Sequence, residues 1–424
     1  MIWKLFYNII IIPVMWIGFQ IFGLVNRKAA RALQGRKNMM QQFRTKINRC
    51  NPDDKRVWFH SSSMGEFEQA KPIIAELKHR KPDVKIIVSF FSPSGYEHSL
   101  SYKLADLIVY IPFDSFSNAK TFLEIMKPSA AVFMRYDIWP NHLWCLQKLG
   151  VPTFIANATL QEKLYRNIPI IHQFIRLLYN SLDYILTVSE NDKKVFEKFH
   201  LTNPVLEVIG DTRYDQVWKR SAESKNKKLI NQNILTGKKV FVIGSSWKED
   251  EEQLIQVLTR IYSETPQLMV ILVPHEPTEE NLEFIENELN GKIRNIRFSH
   301  MHEFDDESLI LVDSVGILMA LYQYGDVAYV GGGFGNGIHN VLEPAAYGIP
   351  VVFGPRHINS QEAIAVIREQ AGLMGNDSNE LYKQIKFLLT DDRRRKEFGE
   401  RAVELVRKNI GATERVISYL EKIL

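Results

Sequence analysis

The stretch RVWFHSSSMGEFEQAKPIIAELKHR, which covers Arg56–Arg80, decides the fold class. Residues 56–60 form a short, mostly apolar run, as buried strands do, and residues 66–80 place apolar side chains on one helical face. Three serines, a methionine and a glycine join the two, and a strand-to-helix turn of this kind exposes backbone N–H groups to a ligand. The stretch therefore predicts one strand–helix unit of a doubly wound parallel sheet.

The same alternation continues along the chain on both sides of a polar segment. Before this segment we predict strands at Val84–Phe90, Leu107–Ile111, Ala130–Met134, Thr153–Ala156 and Tyr184–Val188. After it we predict strands at Val240–Ile243, Met269–Val273, Leu309–Val312, Val327–Val330 and Val351–Phe353, and helices at Glu249–Ser263, Glu279–Leu289, Ile317–Tyr324 and Val341–Ala346. Two such halves facing each other would form a ligand cleft at the carboxyl ends of both sheets.

An uncharged run precedes the first strand. Residues Leu5–Val25 carry no charge. An apolar run of this length is about long enough to span a bilayer core. A dense basic stretch follows and indicates that it and the body lie on the cytoplasmic side. Because Asn8, Pro13 and Gln20 interrupt the run, an anchor lying in the membrane interface stays an alternative. The predicted domains are a membrane anchor with a basic segment (1–48), an N-terminal domain (49–219), a linker (220–239) and a C-terminal domain (240–424).

Charge and cysteine content exclude several classes of protein. The net charge is +4, yet residues 26–49 alone hold eight basic side chains and no acidic one, so the folded body is mildly acidic. This argues against a nucleic-acid-binding surface. Cys50 and Cys145 fit neither a zinc site nor a disulfide framework and favour a reducing compartment. The sequence offers no convincing metal-ligand spacing, so we expect no metal and no cofactor.

Candidate site residues of the first half follow its apolar runs. Glu66 begins the helix of the opening stretch, where it could act on a ligand or merely complement the helix dipole while Ser63 caps the helix. Arg135 and Asp137 follow a predicted strand and could face a site or form a simple surface pair. Arg213 follows the apolar run Val205–Ile209 and could hold a phosphate or carboxylate, or be a solvated interdomain residue.

In the second half, the segment GGGFGNGIHN joins a predicted strand to a helix at residues 331–340. Five glycines in seven positions would let backbone amides approach an anion, although no Gly-Lys-Ser/Thr follows as a P-loop requires. Asn340 and Glu343 have the spacing of a capping box, so capping alone could explain both. His275 ends another strand at the same edge and could contact a phosphate or be an ordinary loop histidine.

Taken in order, these motifs resemble the 3-deoxy-D-manno-octulosonic acid (Kdo) transferases of lipopolysaccharide synthesis, which have the two-domain GT-B architecture. The resemblance covers nearly the whole chain, and its most specific part is HNVLEPAA at residues 339–346, continuing to GIPV at 348–351. It departs from the family where Arg135 and Asp137 replace a Glu-x-Glu pair, and where His275-Glu276 replace Arg-His. The implied fold is α/β, with two Rossmann-like domains facing a cleft and an N-terminal anchor helix.

The resemblance also implies roles for particular residues. Glu66 matches the catalytic base, and Arg213 stands where the family usually has a lysine thought to stabilise the transition state; Asp137 is the next candidate for the base. The implied nucleotide-sugar site consists of His275, Glu276, Val315, Gly316, Ile317, Asn340, Val341, Leu342 and Glu343. The implied donor is CMP-Kdo, the acceptor a lipid A precursor, and the location the cytoplasmic side of the inner membrane.

Two other classes of function stay open at this point. A UDP-sugar transferase or a UDP-GlcNAc 2-epimerase would share the architecture, although a soluble epimerase needs no anchor. A membrane-tethered protein that binds a nucleotide sugar without catalysis is the second alternative, because Arg135 and His275 depart from the family pattern. The sequence determines neither the number of Kdo units transferred nor the acylation of the acceptor.

Overall fold

The computed structural model describes residues 2–48, 51–160, 168–265, 267–335 and 337–424. Arg49, Cys50 and Asn336, which belong to features noted in the sequence, lie outside the described residues. The chain divides into two compact units. Unit 1 comprises Met1–Gln216 together with Ile410–Leu424, and unit 2 comprises Val217–Asn409.

Unit 1 is built on a seven-stranded sheet in which all neighbouring strands are parallel. Its strands are β1 (Arg56–Ser61), β2 (Lys85–Phe90), β3 (Leu107–Tyr110), β4 (Ala130–Met134), β5 (Thr153–Ala158), β6 (Tyr184–Thr187) and β7 (Val205–Val208), in the order β3-β2-β1-β4-β5-β6-β7. The first four are buried almost throughout, as strands covered by helices on both faces must be.

Helices cover both faces of this sheet. They are α1 (Ile2–Phe6), α2 (Ile12–Val25), α3 (Arg27–Arg36), α4 (Met39–Ile47), α5 (Met64–Arg80), α6 (Pro93–Ser99), α7 (Phe116–Met126), α8 (Pro140–Leu149), α9 (Pro169–Tyr179), α10 (Glu190–Glu197) and α11 (Thr212–Ser224). The apolar face of α5, with Phe67, Ile73 and Leu77, packs on one side of β1, and the helices α4, α7 and α8 pack on the other. The helix predicted from residue 66 therefore exists and begins two residues earlier.

Unit 2 repeats this plan with a second parallel sheet of seven strands. Its strands are β8 (Lys239–Ser246), β9 (Leu268–Pro274), β10 (Asn295–Arg297), β11 (Leu309–Leu311), β12 (Val327–Val330), β13 (Val351–Phe353) and β14 (Gly372–Met374), in the order β10-β11-β9-β8-β12-β13-β14. Its α-helices are α12 (Gln232–Leu235), α13 (Lys248–Glu264), α14 (Glu279–Leu289), α15 (Leu318–Leu321), α16 (Leu342–Ala345), α17 (Gln361–Arg368), α18 (Ser378–Thr390) and α19 (Asp392–Lys408).

The division of the chain differs from the predicted one at both ends of unit 2. The polar segment 220–239 is not a free linker, because α11 continues to Ser224 and Ile230 is buried in the core of unit 2. The last helix, α20 (Ala412–Glu421), leaves unit 2 and packs on unit 1, where Val416, Ile417 and Leu420 join the core. Asp215 holds this helix by accepting hydrogen bonds from the backbone N–H groups of Gly411 (2.6 Å) and Thr413 (2.8 Å).

The N-terminal segment is one long apolar helix. Residues Tyr7–Ile11 form a π-helical turn between α1 and α2, and together the three elements make a helix over Ile2–Val25, called the anchor helix below. Among the described residues, it is long and apolar enough to cross a membrane. The predicted fold class, two Rossmann-like α/β domains of GT-B type with an N-terminal candidate anchor, is confirmed.

Candidate functional site

Glu66 lies in the first turn of α5, at the carboxyl end of β1. It is only 6% exposed, and the Ser62 backbone N–H donates to its Oε2 at 2.5 Å. Burial, and next to it the carboxylate of Asp137, raises the pKa of Glu66 to about 7. A carboxyl group with such a pKa can take up a proton near neutral pH, which is what a general base must do.

Asp137 lies near Glu66, in the loop after β4. Its Oδ2 accepts hydrogen bonds from Ser62 Oγ, His60 Nε2 (2.9 Å) and Trp139 Nε1 (3.3 Å). Burial alone would raise the pKa of Asp137, but these donors outweigh burial and hold it below its usual range. Asp137 is therefore a fixed carboxylate whose negative charge disfavours ionisation of Glu66, and Ser62 is hydrogen-bonded to both.

His60 is held by partners on both ring nitrogens. Its Nδ1 lies 2.8 Å from Ser89 Oγ, which also accepts from Trp58 Nε1 (2.8 Å). Its Nε2 lies 2.9 Å from Asp137 Oδ2 and 3.1 Å from Trp139 Nε1. This chain of bonds is fully buried at His60 and Ser89, so it fixes the position of the Asp137 carboxylate.

Arg135 departs from ordinary backbone geometry just before Asp137. Its φ is +62°, in the left-handed region that side chains other than glycine rarely adopt. Its Nε is buried without a hydrogen-bond partner among the described residues, and its charge partly offsets the raised pKa of Glu66. Arg135 and Asp137 thus do not form the simple surface pair that the sequence left open, because Asp137 is bonded to His60, Ser62 and Trp139.

Arg213 begins α11 on the neighbouring side of α5. Its Nε and Nη2 donate to Oδ2 of the buried Asp211 at 3.0 and 2.6 Å, and its Nε also donates to Oδ1 at 3.2 Å. Thr212 Oγ1 donates to the Gln69 carbonyl (2.7 Å), which fixes this turn against α5 one turn beyond Glu66. Unit 1 therefore brings Glu66 and Asp137 together. It places Arg213, which is paired with Asp211, beside helix α5.

The candidate residues of unit 2 follow four adjacent strands of its sheet. The loops after β11, β9, β8 and β12 carry, respectively, Val315–Ile317, His275, Trp247 and His339. The carboxyl ends of parallel strands share one edge of a sheet, where α/β folds bind ligands. The predicted residues therefore lie along one edge, although Val315 and Glu276 are exposed at its rim.

Three aromatic rings form a stack at the centre of this edge. The His275 ring stacks across both Trp247 and His339, with its centroid 4.4 Å from each, while the centroids of Trp247 and His339 are 6.2 Å apart. Trp247 Nε1 donates to His339 Nε2 at 2.7 Å, so the proton of His339 is on Nδ1. Burial and the neighbouring His275 lower the pKa of His339 to about 4, which keeps this ring neutral at physiological pH.

Asp250 fixes the backbone of the glycine-rich loop by hydrogen bonds. This fully buried carboxylate accepts hydrogen bonds from the backbone N–H groups of Gly332 (2.7 Å) and Phe334 (3.3 Å) and from Tyr329 Oη (2.7 Å). Two of the loop amides expected to approach an anion are therefore bonded to the protein itself. Glycine is required here chiefly for packing, since a Cβ on Gly333 would lie 2.5 Å from the Gly354 nitrogen.

The segment after the loop offers one polar pair. Asn340 Oδ1 accepts from the Leu342 N–H (3.1 Å), and Asn340 Nδ2 lies 3.4 Å from Glu343 Oε1. The side chains of Val341 and Leu342 are buried in the core, so these two residues could meet a ligand only through their backbone. Glu343 also contributes, after burial, to raising the pKa of Tyr347 to about 12.

Sequence reasoning missed Trp247 and Asp250. Both follow the carboxyl end of β8, the central strand of the sheet, and that position was the available signal. Among residues 2–48, 51–160, 168–265, 267–335 and 337–424, no group of three His, Cys, Asp or Glu side chains could hold a metal ion. The expectation that no metal or cofactor is needed stays a prediction.

Comparison with known proteins shows what this chain is similar to. Residues 32–216 match the model of the 3-deoxy-D-manno-octulosonic-acid transferase family. The 3-deoxy-D-manno-octulosonic acid transferase of Haemophilus influenzae is 24% identical over 100% of this chain and 99% of its own length, and that of Aquifex aeolicus is 29% identical over 79% and 86%. UDP-GlcNAc 2-epimerase from Neisseria meningitidis shares the fold, with a TM-score of 0.61 at 15% identity over 87% of this chain and 100% of the epimerase.

The similarity to the Haemophilus influenzae transferase extends over both units of this chain. The likeness to the epimerase shows the shared fold alone. A fold match alone would leave epimerases and transferases equivalent. The chain is therefore similar over its full length to 3-deoxy-D-manno-octulosonic acid transferases.

Proposed function

We propose that this protein transfers Kdo from CMP-Kdo to a lipid A precursor with inversion at the anomeric carbon. The single observation that carries the proposal is Glu66, a buried carboxyl group with a pKa of about 7, held at the end of β1 by Ser62. The proposed place of action is the cytoplasmic side of the inner membrane, where a lipid acceptor is available.

In the proposed reaction, the ionised Glu66 removes the proton from an acceptor hydroxyl as its oxygen attacks the anomeric carbon of Kdo. The new C–O bond forms as the bond to CMP breaks, and CMP leaves with the electron pair. Asp137 keeps the pKa of Glu66 high enough for proton uptake. The Arg213 guanidinium, although paired with Asp211, supplies positive charge for the leaving phosphate.

We assign the nucleotide sugar to the edge of the second sheet. The exposed face of His275, stacked on Trp247, offers a flat surface for the cytosine ring. The Nδ1–H of the neutral His339 is a donor for a phosphate oxygen, and the Glu343 carboxylate can accept from ribose hydroxyls. The exposed Val315 and the turn at Gly316, whose φ is +82°, complete the rim.

A UDP-sugar enzyme is the competing proposal, because UDP-GlcNAc 2-epimerases share the fold. Calorimetric titration of the full chain with CMP and with UDP distinguishes the two. We expect CMP to bind and UDP to bind at least tenfold more weakly. Tighter binding of UDP would overturn the choice of donor.

The test of the reaction is Glu66→Gln in a Kdo transfer assay with a tetraacyl lipid acceptor. The amide keeps the shape of the side chain but takes up no proton, so transfer should fall by roughly 10²–10⁴-fold while CMP affinity stays unchanged. Glu76→Gln, on the same helix but away from the site, is the matched control and should retain full activity. Activity of Glu66→Gln within about threefold of wild type would remove Glu66 from the mechanism.

A further inference from the structure

One face of the anchor helix packs against the rest of unit 1. Near its N-terminus, the Trp3 ring lies 5.7 Å from Phe174, and Lys4 lies over the ring of Trp144. Further along, Phe19 contacts Phe91, with ring centroids 5.6 Å apart. The helix therefore touches unit 1 near its first residues and again sixteen residues later.

Polar side chains fix the first of these contacts. Tyr7 Oη donates to Asp114 Oδ2 at 2.8 Å, and Asn8 and Asn141 exchange two side-chain hydrogen bonds of 3.0 and 2.9 Å. Asp114 is fully buried and also accepts from the backbone N–H groups of Asn141 and His142. Buried polar bonds of this kind are specific, so the helix is held in one position and is not a loose tether.

The middle of the helix also lies beside unit 1. A cavity of about 660 Å³ is lined by Trp16, Phe19 and Gln20 of the helix. Its other lining residues come from unit 1 and include Phe113 and Asn118. Contacts at residues 3, 4, 7, 8, 12 and 19 follow helical spacing, so they form a single stripe along one side.

The rest of the helix surface is apolar and exposed. Its exposed large side chains are Ile2, Leu5, Phe6, Ile9, Ile10, Val14, Met15, Trp16, Ile17, Ile21, Phe22, Leu24 and Val25. The helix α3 that follows presents exposed Arg27, Lys28 and Arg31. An apolar strip beside basic side chains is complementary to the acyl chains and anionic headgroups of a membrane surface.

We infer that the anchor helix lies in the plane of the membrane, in one leaflet, and does not span the bilayer. If the helix spanned the bilayer, the parts of unit 1 that contact it would enter the hydrocarbon core with it, and this core is about 30 Å thick. The loops after β2 and β3, which bear Phe91 and Asp114, would then lie among acyl chains together with the start of α8 at Asn141. Exposed loop backbone is not tolerated there. With the helix in plane, unit 1 stays in water and the apolar strip enters the leaflet.

Spin labels on the exposed face test this inference. Leu5→Cys, Val14→Cys and Leu24→Cys are each labelled in the full chain with Cys50 and Cys145 replaced by serine, and bound to phosphatidylethanolamine–phosphatidylglycerol vesicles. Collision with oxygen and with a nickel chelate reports the depth of each label. We expect all three labels at the same depth within about 3 Å, roughly 5–10 Å below the headgroups.

A spanning helix gives a different depth profile. Adjacent positions in this series are 9 and 10 residues apart, so Val14 would lie about 14 Å deeper than both ends, and that result would overturn the inference. Binding of CMP by each labelled variant shows that the protein is folded.

A second test labels Ile2→Cys with a membrane-impermeant maleimide and compares it with Asp83→Cys on unit 1. Labelling of both cysteines from the same face of the membrane supports the in-plane position. Labelling of Ile2→Cys only from the opposite face contradicts it.

Discussion

At the scale of single residues, the two carboxylates near Ser62 have opposite roles because they have different partners. Asp137 has three donors and stays ionised, whereas the backbone N–H groups of Ser62 and Ser63 do not compensate for the burial of Glu66. The helix dipole, which should lower the pKa of Glu66, is therefore outweighed. Nearby carboxyl groups with separated pKa values are typical of acid–base sites.

The raised pKa of Glu66 has a consequence for stability. The folded state holds a proton on Glu66 more tightly than the unfolded state, whose pKa is about 4.5, so this group favours folding at low pH. That contribution is lost as the pH rises through about 7. Since the amide introduced by Glu66→Gln does not titrate, this variant should gain about 2–3 kcal/mol of unfolding free energy relative to wild type between about pH 5 and pH 8.

Chemical denaturation of both proteins across this pH range measures the difference. Glu68→Gln is the control, because its side chain is partly exposed on the same helix. A difference between Glu66→Gln and wild type that does not change with pH would show that Glu66 is ionised in the folded protein at all these pH values.

Asp250 is the residue whose loss we expect to damage unit 2 most. Asp250→Asn replaces one acceptor oxygen by an N–H₂ group facing the donors of Tyr329 and the glycine loop. We expect a loss of about 2–4 kcal/mol of stability, because buried donors are left unpaired. Asp377→Asn, which caps α18 through a single bond, should cost about 1 kcal/mol or less, and thermal unfolding compares the two.

At the scale of elements, helix α16 is so short that capping by Glu343 can contribute little stability. It has four residues, and Asn340 already accepts from the Leu342 N–H. Glu343→Ala should therefore weaken CMP binding, because a ribose acceptor is lost, with less than about 1 kcal/mol of lost stability. Calorimetry with CMP and a melting curve give the two numbers. Unchanged CMP affinity with a lowered melting temperature would assign Glu343 to capping alone.

The buried strands could be predicted from sequence because central strands of a parallel sheet are continuous apolar runs. Ala130–Met134, Val327–Val330 and Val351–Phe353 were predicted with the bounds that the structure has. The three-residue strands β10 and β14 were missed. They lie at the two edges of the second sheet, where pairing on one side only leaves a weak apolar signal.

The candidate site could be predicted only in part. The position of Glu66 at a strand-to-helix turn was visible in the sequence. The stack of His275 on Trp247 was not, because the two residues come from different strands and become neighbours only through the strand order. The partners of Tyr7 and Asn8 were hidden for the same reason, since Asp114 and Asn141 lie more than one hundred residues away.

At the scale of the whole molecule, the anchor helix is part of the core of unit 1 as well as a candidate membrane anchor. Deleting residues 1–25 would expose Trp144 and Leu178, which now pack against Tyr7 and Ile12. We expect the truncated protein to leave the membrane fraction and unit 1 to melt at a lower temperature, while CMP binding by unit 2 stays within about twofold of wild type.

Fractionation, a melting curve and calorimetry test these three expectations separately. Persistent pelleting of the truncated protein with washed membranes would show that the apolar helix is not the main anchor. An unchanged melting temperature would show that the contacts of Tyr7 and Ile12 add little to the stability of unit 1.

The return of α20 to unit 1 also determines the order in which the protein can be completed during synthesis. Residues 410–424 are made after the whole of unit 2, yet Val416, Ile417 and Leu420 belong to the core that begins with β1. Domains generally fold as units in the order in which they leave the ribosome. Here unit 1 keeps an uncovered apolar face until residues 410–424 have left the ribosome. Unit 2, although most of it is made after unit 1, can close its own core first.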